Sequence, residues 1–171
     1  MRPLWYWRWR FLGKEPEACL GCGGPLVQQA AAWCHAAAGT IELTLEGLPF
    51  RVCRDGCLDR RLPRPGFVEE LQSGLLDGGH VPTAVRTAQS DGLSCYACAN
   101  RVWRPGPDSG EVRGALPFPG LPTVGVRVMG PVRTCNGCGR LQLDPSEALR
   151  HDLAAAARSA LEGAGLRTTF R

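Results

Sequence analysis

Four short cysteine motifs decide the fold of this chain: CLGC at residues 19–22, CRDGC at 53–57, CYAC at 95–98 and CNGC at 135–138. Eight of the nine cysteines lie in these motifs, and only Cys34 stands apart. Zinc prefers tetrahedral coordination by thiolates, and one tight cysteine turn supplies two of the four ligands. Two motifs in each half therefore predict two structural zinc ions, one held by Cys19, Cys22, Cys53 and Cys57 and the other by Cys95, Cys98, Cys135 and Cys138.

Disulfides are the alternative use of so many cysteines, as in small secreted proteins. The amino-terminal stretch MRPLWYWRWRF argues against export, because charged residues interrupt each apolar run and a signal peptide needs a continuous one. No segment approaches the roughly 18 apolar residues that a membrane-spanning helix requires. We therefore expect a cytoplasmic protein with no membrane span, whose reduced thiols bind metal.

The charge balance does not identify a partner. Twenty basic and 16 acidic residues give a formal charge of +4, which by itself suggests a nucleic-acid partner. Cysteine binds zinc as the thiolate, so eight thiolates and two Zn²⁺ ions together contribute four negative charges. With both sites filled, the expected net charge is zero.

The two halves of the chain repeat one pattern between their cysteine motifs. Ile41, Leu43 and Leu45 alternate with polar residues in the first half, as Val124, Val126 and Val128 alternate with Gly125 and Arg127 in the second. This period of two predicts strands with one buried face. We expect Gly47 and Gly130 to end these strands before a short strand carries the next cysteine pair. Self-similarity at matched positions indicates an internal duplication.

A helix is predicted after the second cysteine motif of each half. The first is a short helix, indicated by the apolar residues Phe67, Val68, Leu71 and Leu75 and interrupted by Gly74. The second is longer, and the sequence from Asp144 to Glu147 predicts that Asp144 caps it.

The stretch 104–122 contains five prolines and is predicted to be a loop.

The expected fold is small, α+β and metal-stabilised: two zinc ribbons, which are antiparallel β hairpins with zinc knuckles, each followed by an α-helix. The predicted units are an aromatic and basic amino-terminal strand (1–14), a first ribbon with its helix (15–77), a linker (78–92), and a second ribbon with the carboxy-terminal helix (93–171).

Two further features carry open alternatives. In the amino-terminal segment Trp5, Trp7 and Trp9 alternate with Tyr6, Arg8 and Arg10. Trp5, Trp7, Arg8, Trp9 and Arg10 are therefore candidate partner contacts, although an aromatic strand face that covers a small core is the competing interpretation. Cys34, beside His35, is either a nucleophile or an alternative zinc ligand, or else a small buried hydrophobic residue among alanines.

Each half resembles the zinc-ribbon domain at the amino terminus of certain bacterial antitoxins. The order of elements from Cys19 to Cys57 matches that domain, including Leu45-Glu46-Gly47 before Cys53. The helix-turn-helix that follows the ribbon in many of those antitoxins has no counterpart here. A weaker likeness joins the chain to myxobacterial double-CXXCG proteins of the immunity type, through residues 19–23, residues 135–139 and the ending GLRTTFR. These resemblances imply a protein partner, such as a toxin.

Three functions follow as hypotheses. The first is a non-enzymatic zinc protein that acts through protein–protein interaction, as an antitoxin, immunity protein or adaptor. The second is a zinc-ribbon regulator that binds nucleic acid, which requires convergent arginines at positions 8, 10, 51, 54, 60, 61 and 64. The third is a thiol-dependent enzyme that uses Cys34.

Overall fold

The computed structural model describes residues 18–58, 60–77, 94–95, 97–144 and 146–166, and within these it leaves out the side chains of residues 28–31 and 76–77. The candidate partner contacts Trp5, Trp7, Arg8, Trp9 and Arg10 and the whole of the predicted linker (78–92) lie outside the described residues.

The main sheet is antiparallel and draws strands from both halves of the chain. Its strands are β1 (Leu26–Ala38), β2 (Ile41–Cys53), β5 (Gly110–Leu116) and β6 (Val124–Gly130), in the order β1-β2-β6-β5. The two-residue β3 (Arg60–Arg61) pairs with the last part of β2. Strand β2 of the first half therefore pairs directly with β6 of the second, with Leu43 opposite Val128 and Leu45 opposite Val126.

A smaller sheet carries the second pair of cysteine motifs. It consists of β4 (Trp103–Pro105), β7 (Val132–Cys135) and β8 (Leu141–Leu143), in the order β4-β7-β8. The prediction of a loop over 104–122 is wrong, because β4 begins that stretch and β5 lies between its prolines. Val112 and Leu116 of β5 are buried against the core, and this burial outweighs the turn-forming character of the flanking prolines.

Strand β2 does not end at Gly47, which corrects the sequence prediction. It continues to Cys53 with Gly47 at φ +73°, and its register against β1 shifts between Ala32 and Cys34. An extra residue in one strand is a β-bulge, which glycine accommodates because it adopts positive φ at no steric cost. The second half follows the prediction, since β6 ends at Gly130 and β7 starts at Val132.

Two helices cover one face of the main sheet. They are α1 (Phe67–Asp77) and α2 (Glu147–Gly163). Helix α2 packs on β1 and β2, whereas α1 packs on α2 and β5. The alternating residues of both halves and the apolar faces of both helices form one buried cluster, which includes Ile41, Leu43, Leu45, Val124, Val126, Val128, Phe67, Leu71, Leu75, Leu149 and Leu153. The predicted α+β class, alternating strands and helices are confirmed, and the two halves share a single core.

Two residues explain how the helices start and pack, namely Ser146 at the start of α2 and Gly74 within α1. Ser146, not the predicted Asp144, caps α2, because its Oγ accepts a hydrogen bond from the Leu149 backbone N–H at 3.2 Å. Helix α1 continues through Gly74, where a Cβ would lie 3.0 Å from Leu116 Cδ2. Glycine at this position therefore permits the close approach of α1 to β5.

The tip of the β1–β2 hairpin is tied to α2. Gly39 has φ +55°, and a Cβ at this position would collide with the carboxylate of Asp152. That carboxylate accepts a hydrogen bond from the Thr40 backbone N–H at 3.1 Å. None of the helices in the described part of the chain is long and apolar enough to cross a membrane.

Candidate metal centres

The structure brings the eight predicted ligands together in two groups of four. Within each group the sulfur atoms all lie within 4.8 Å of one another. The first group is Cys19, Cys22, Cys53 and Cys57, and the second is Cys95, Cys98, Cys135 and Cys138.

The sulfur separations fit a tetrahedral metal ion. Cys22 Sγ lies 3.4 Å from Cys53 Sγ in the first group. In the second, Cys95 Sγ lies 3.6 Å from Cys138 Sγ, and Cys98 Sγ lies 3.5 Å from Cys135 Sγ. A regular tetrahedron with Zn–S bonds of about 2.3 Å has S···S edges of roughly 3.8 Å, whereas a disulfide is about 2.05 Å long. None of the described cysteines forms a disulfide.

Three of the four cysteine turns have the same backbone geometry. In each, the N–H of the first cysteine donates to the carbonyl of the residue five positions later: Cys19 to Gly24, Cys95 to Asn100 and Cys135 to Arg140. The carbonyl of the same cysteine accepts a hydrogen bond from the N–H four positions later, which belongs to Gly23, Ala99 and Gly139 respectively. The residue after the second cysteine has positive φ in all three: Gly23, Ala99 and Gly139. The alanine after Cys98 therefore occupies a position that favours glycine.

Backbone amides point at the sulfur atoms of these turns. Gly21 N–H donates to Cys19 Sγ, Gly24 N–H to Cys22 Sγ and Gly137 N–H to Cys135 Sγ, each at 3.3 Å. Such bonds stabilise thiolates over thiols. These bonds act toward the ionised form of cysteine that binds metal. At Cys22 the bond from Gly24 lowers the pKa, but hydrogen bonding with Cys53 contributes to a pKa that is raised overall.

The fourth turn has one extra residue and a different shape. Between Cys53 and Cys57 the chain turns at Gly56, with φ +82°, whose N–H donates to the Cys53 carbonyl at 3.3 Å. Asp55 lies beside the site, where its Oδ2 is 3.7 Å from Cys22 Sγ. The longer motif still delivers Cys57 to the first group, so the extra residue does not prevent assembly of the four sulfurs.

Two thiols of each group differ sharply in acidity. Burial by itself would raise the pKa of Cys53, but hydrogen bonds from the backbone N–H groups of Cys57 and Asp55 outweigh it and lower the pKa to about 7. Hydrogen bonding with Cys22, and then with Cys53 and Cys19, raises the pKa of Cys57 to about 12. The second group shows the same difference, with a pKa of about 7 for Cys135 and of about 12 for Cys98. One sulfur of each group therefore loses its proton more readily than an ordinary thiol, and binding of a metal ion would displace the protons of the others.

Cys34 and the histidines at positions 35 and 151 belong to neither four-cysteine group. Cys34 is 4% exposed and belongs to the core, and burial raises its pKa. The ring of His35 stacks on Trp33 and its Nδ1 lies 3.2 Å from Thr44 Oγ1. His151 is exposed on α2. The structure therefore supports the interpretation of Cys34 as a buried apolar residue.

Most of the described arginines in the predicted nucleic-acid-binding set contact neighbouring groups of the chain, and Arg8 and Arg10 lie outside the described residues. Arg51 Nε donates to the Leu62 carbonyl at 3.2 Å, and Arg60 lies over the Phe50 ring at 5.7 Å. Arg61 is 6% exposed, and Arg64 pairs with Glu70 and donates to the Pro119 carbonyl. Of the five described arginines at positions 51, 54, 60, 61 and 64, only Arg54 is exposed and makes no side-chain hydrogen bond or ion pair with another described residue.

Comparison with known proteins gives no relative: no family model, no curated protein and no solved structure matches the chain.

Proposed function

We propose that this chain is a non-enzymatic zinc-binding protein of the cytoplasm that acts by binding a protein partner, as an antitoxin, immunity protein or adaptor. The observation that carries the proposal is the pair of complete four-cysteine groups. Four thiolates fill a tetrahedral zinc site and leave no position for substrate or water, so both ions would be structural.

Zinc is the proposed metal because of the ligand chemistry. Sites made of four thiolates favour zinc or iron–sulfur centres over hard cations such as Mg²⁺ or Ca²⁺. The hydrogen-bonded turns and the strands beside them support an arrangement of two ribbon-like units built into a common core. Structural zinc contributes on the order of 10–16 kcal/mol to folding in small peptides, so the ions would be part of the stability of the chain.

Metal content tests the first part of the proposal. Native mass spectrometry of the full chain, purified without added chelator, should show two zinc ions. Denaturing mass spectrometry of the same sample should show the mass of the metal-free chain with nine reduced cysteines. A protein that is folded without metal, or one that contains iron and sulfide, would contradict it. Cys135→Ser should reduce the count from two to one, whereas Cys34→Ser should leave it at two.

A protein partner requires its own test. Tagged full-length protein would be used to capture binding proteins at about 0.15 and 1 M salt, and each one identified would be produced separately and titrated calorimetrically. A stoichiometric complex that forms in both salts supports the proposal. Truncating the amino-terminal Trp5, Trp7 and Trp9, with Arg8 and Arg10, tests whether those residues form the contact.

Burial of Cys34 disfavours the enzyme hypothesis for that residue. A nucleophilic cysteine needs an ionised, accessible sulfur, whereas Cys34 has a raised pKa within the core. We therefore assign no catalytic residue.

A further inference from the structure

Strand β1 has one open edge in the described part of the chain. It lies at the end of the main sheet, where its only described strand partner is β2. Its 13 residues, LVQQAAAWCHAAA, include no proline, lysine, arginine, aspartate or glutamate. Edge strands of soluble proteins usually carry such residues, because an open row of N–H and C=O groups otherwise pairs with another strand. The composition of β1 therefore indicates an edge that a further strand covers.

The side chains along this edge are small where they face the core. Ala32, Ala36 and Ala38 pack against the buried cluster but are only half-buried themselves. On the other face Trp33 is 65% exposed and stacks on the exposed His35. A neighbouring strand with large apolar side chains on the core face would complete the burial of the alanines.

The first cysteine turn directs the preceding chain to this edge. Cys19 N–H donates to the Gly24 carbonyl at 2.8 Å, and beyond this pair Ala18 forms an antiparallel bridge with Pro25. The Pro25 carbonyl accepts from the Arg54 N–H at 3.0 Å, on the side of β2. Because successive carbonyls of a strand point to opposite sides, Ala18 lies on the side away from β2, which is the open edge.

We propose that residues 5–17 form an additional strand that pairs antiparallel with the open edge of β1. Seventeen residues precede Ala18, and β1 has 13, so the segment is long enough to cover the whole edge. At the register of the Ala18–Pro25 bridge, residues 5–17 stand opposite residues 26–38. This assignment belongs to the fold of the chain, goes beyond the proposed protein partner and does not depend on it.

The amino-acid pattern of the segment fits this register. Trp5, Trp7, Trp9 and Phe11 stand opposite Ala38, Ala36, Cys34 and Ala32. Opposite residues of a sheet project to the same face, so the aromatic side chains cover the alanines at the edge of the core. On the solvent face Arg10 stands opposite Trp33, where a guanidinium can lie over the indole ring.

The proline of the segment also falls at a permitted position. Cys19 and Gly24 form a hydrogen-bonded pair, and in an antiparallel ladder such pairs alternate with non-hydrogen-bonded ones. Pro16 therefore stands opposite Val27 in a non-hydrogen-bonded pair, where its missing N–H removes no bond to β1.

A cross-strand disulfide tests the pairing in the zinc-loaded full chain with Cys34→Ala. Positions 8 and 35 form a non-hydrogen-bonded pair in this register, with Cα atoms about 4.5 Å apart, which a disulfide can span. In Arg8→Cys/His35→Cys, oxidised glutathione without denaturant should link the two cysteines within one chain, as read by peptide mass spectrometry. The matched control is Trp7→Cys/His35→Cys, whose side chains project to opposite faces, and it should give about tenfold less cross-link.

Stability provides a second measurement. Trp7→Ala should lower the urea midpoint of unfolding by about 1 M or more, because the loss of a buried tryptophan side chain is costly. Arg8→Ala, on the solvent face, should shift the midpoint by less than about 0.3 M. Zinc counted by native mass spectrometry on the same samples shows separately whether the metal centres are intact.

Four results would each overturn the proposal. Equal cross-linking of both pairs would show that the segment has no fixed register, and a stronger cross-link in the control pair would place the tryptophans on the solvent face. A cross-link between two chains would identify a second copy as the occupant of the edge. An unchanged midpoint in Trp7→Ala would leave the tryptophans free to contact a partner, which the capture experiment tests independently.

Discussion

At the scale of single residues, Ala99 has a backbone conformation that its residue type disfavours. It is the one non-glycine residue with positive φ in the described part of the chain, at +57°. A left-handed conformation costs an ordinary residue about 1–2 kcal/mol, whereas glycine adopts it freely but loses about 0.5–1 kcal/mol in entropy. Ala99→Gly should therefore raise the free energy of unfolding of the zinc-loaded protein by about 0.5–1 kcal/mol, measured by urea denaturation.

Gly139→Ala is the reverse change at the equivalent position of another turn, where φ is +71° and a Cβ would have open space. It should lower the free energy of unfolding by a similar amount. If both substitutions act in the same direction, backbone strain is not what distinguishes the two turns.

Cys34 provides a second test at the residue scale. Because burial raises its pKa, little thiolate forms at pH 8 and the sulfur is shielded from reagents. Iodoacetamide at pH 8 should leave Cys34 unmodified in the folded, zinc-loaded protein and alkylate it in about 6 M guanidinium, as read by peptide mass spectrometry. Rapid modification of the folded protein would place this sulfur at the surface and reopen the thiol-enzyme hypothesis.

At the scale of elements, the start of α2 differs from the sequence prediction, because Ser146 caps the helix in place of Asp144. The Ser146 side chain accepts the Leu149 N–H, so Ser146→Ala should lower the free energy of unfolding by about 1 kcal/mol, the usual cost of losing a helix cap. Asp144→Ala is the control and should change it by less than about half as much. The opposite ranking, measured by thermal or urea denaturation, would restore Asp144 as the cap.

The sequence predicted the elements with strong periodicity and missed those defined by their neighbours. The alternating strands around Leu43 and Val126 and the apolar faces of both helices could be read directly, and the cysteine spacing identified all eight sulfurs that the structure groups together. Strand β1 has no such signal, because its run of alanines has low strand propensity. It forms because β2 pairs with it and α2 covers it. The pairing of β2 with β6 likewise depends on tertiary contacts that the internal repeat does not reveal.

At the scale of the whole molecule, both four-cysteine groups are attached to strands that share one core, and we expect this core to couple them. Strand β2, which ends at Cys53, pairs with β6, and β6 leads into β7, which ends at Cys135. Loss of one bound ion should therefore weaken structure in both halves. Cys138→Ser should remove one zinc ion and also accelerate amide hydrogen exchange in β1 and β2, measured by mass spectrometry. Cys34→Ser, which spares both centres, controls for loss of a cysteine. Faster exchange confined to β4, β7 and β8 would instead show that the two centres are energetically separate.

The hydrogen bond from Thr40 to Asp152 has a consequence for how the chain is made. Its partners are 112 residues apart, so during translation at about 5–20 residues per second the β1–β2 hairpin exists for on the order of 5–20 s before α2 is synthesised. Throughout that interval the apolar face of the hairpin has no helix to cover it. Early capture of the first zinc ion would hold the nascent hairpin together, and ribosomes stalled before α2 should carry chains that depend on chaperones for solubility.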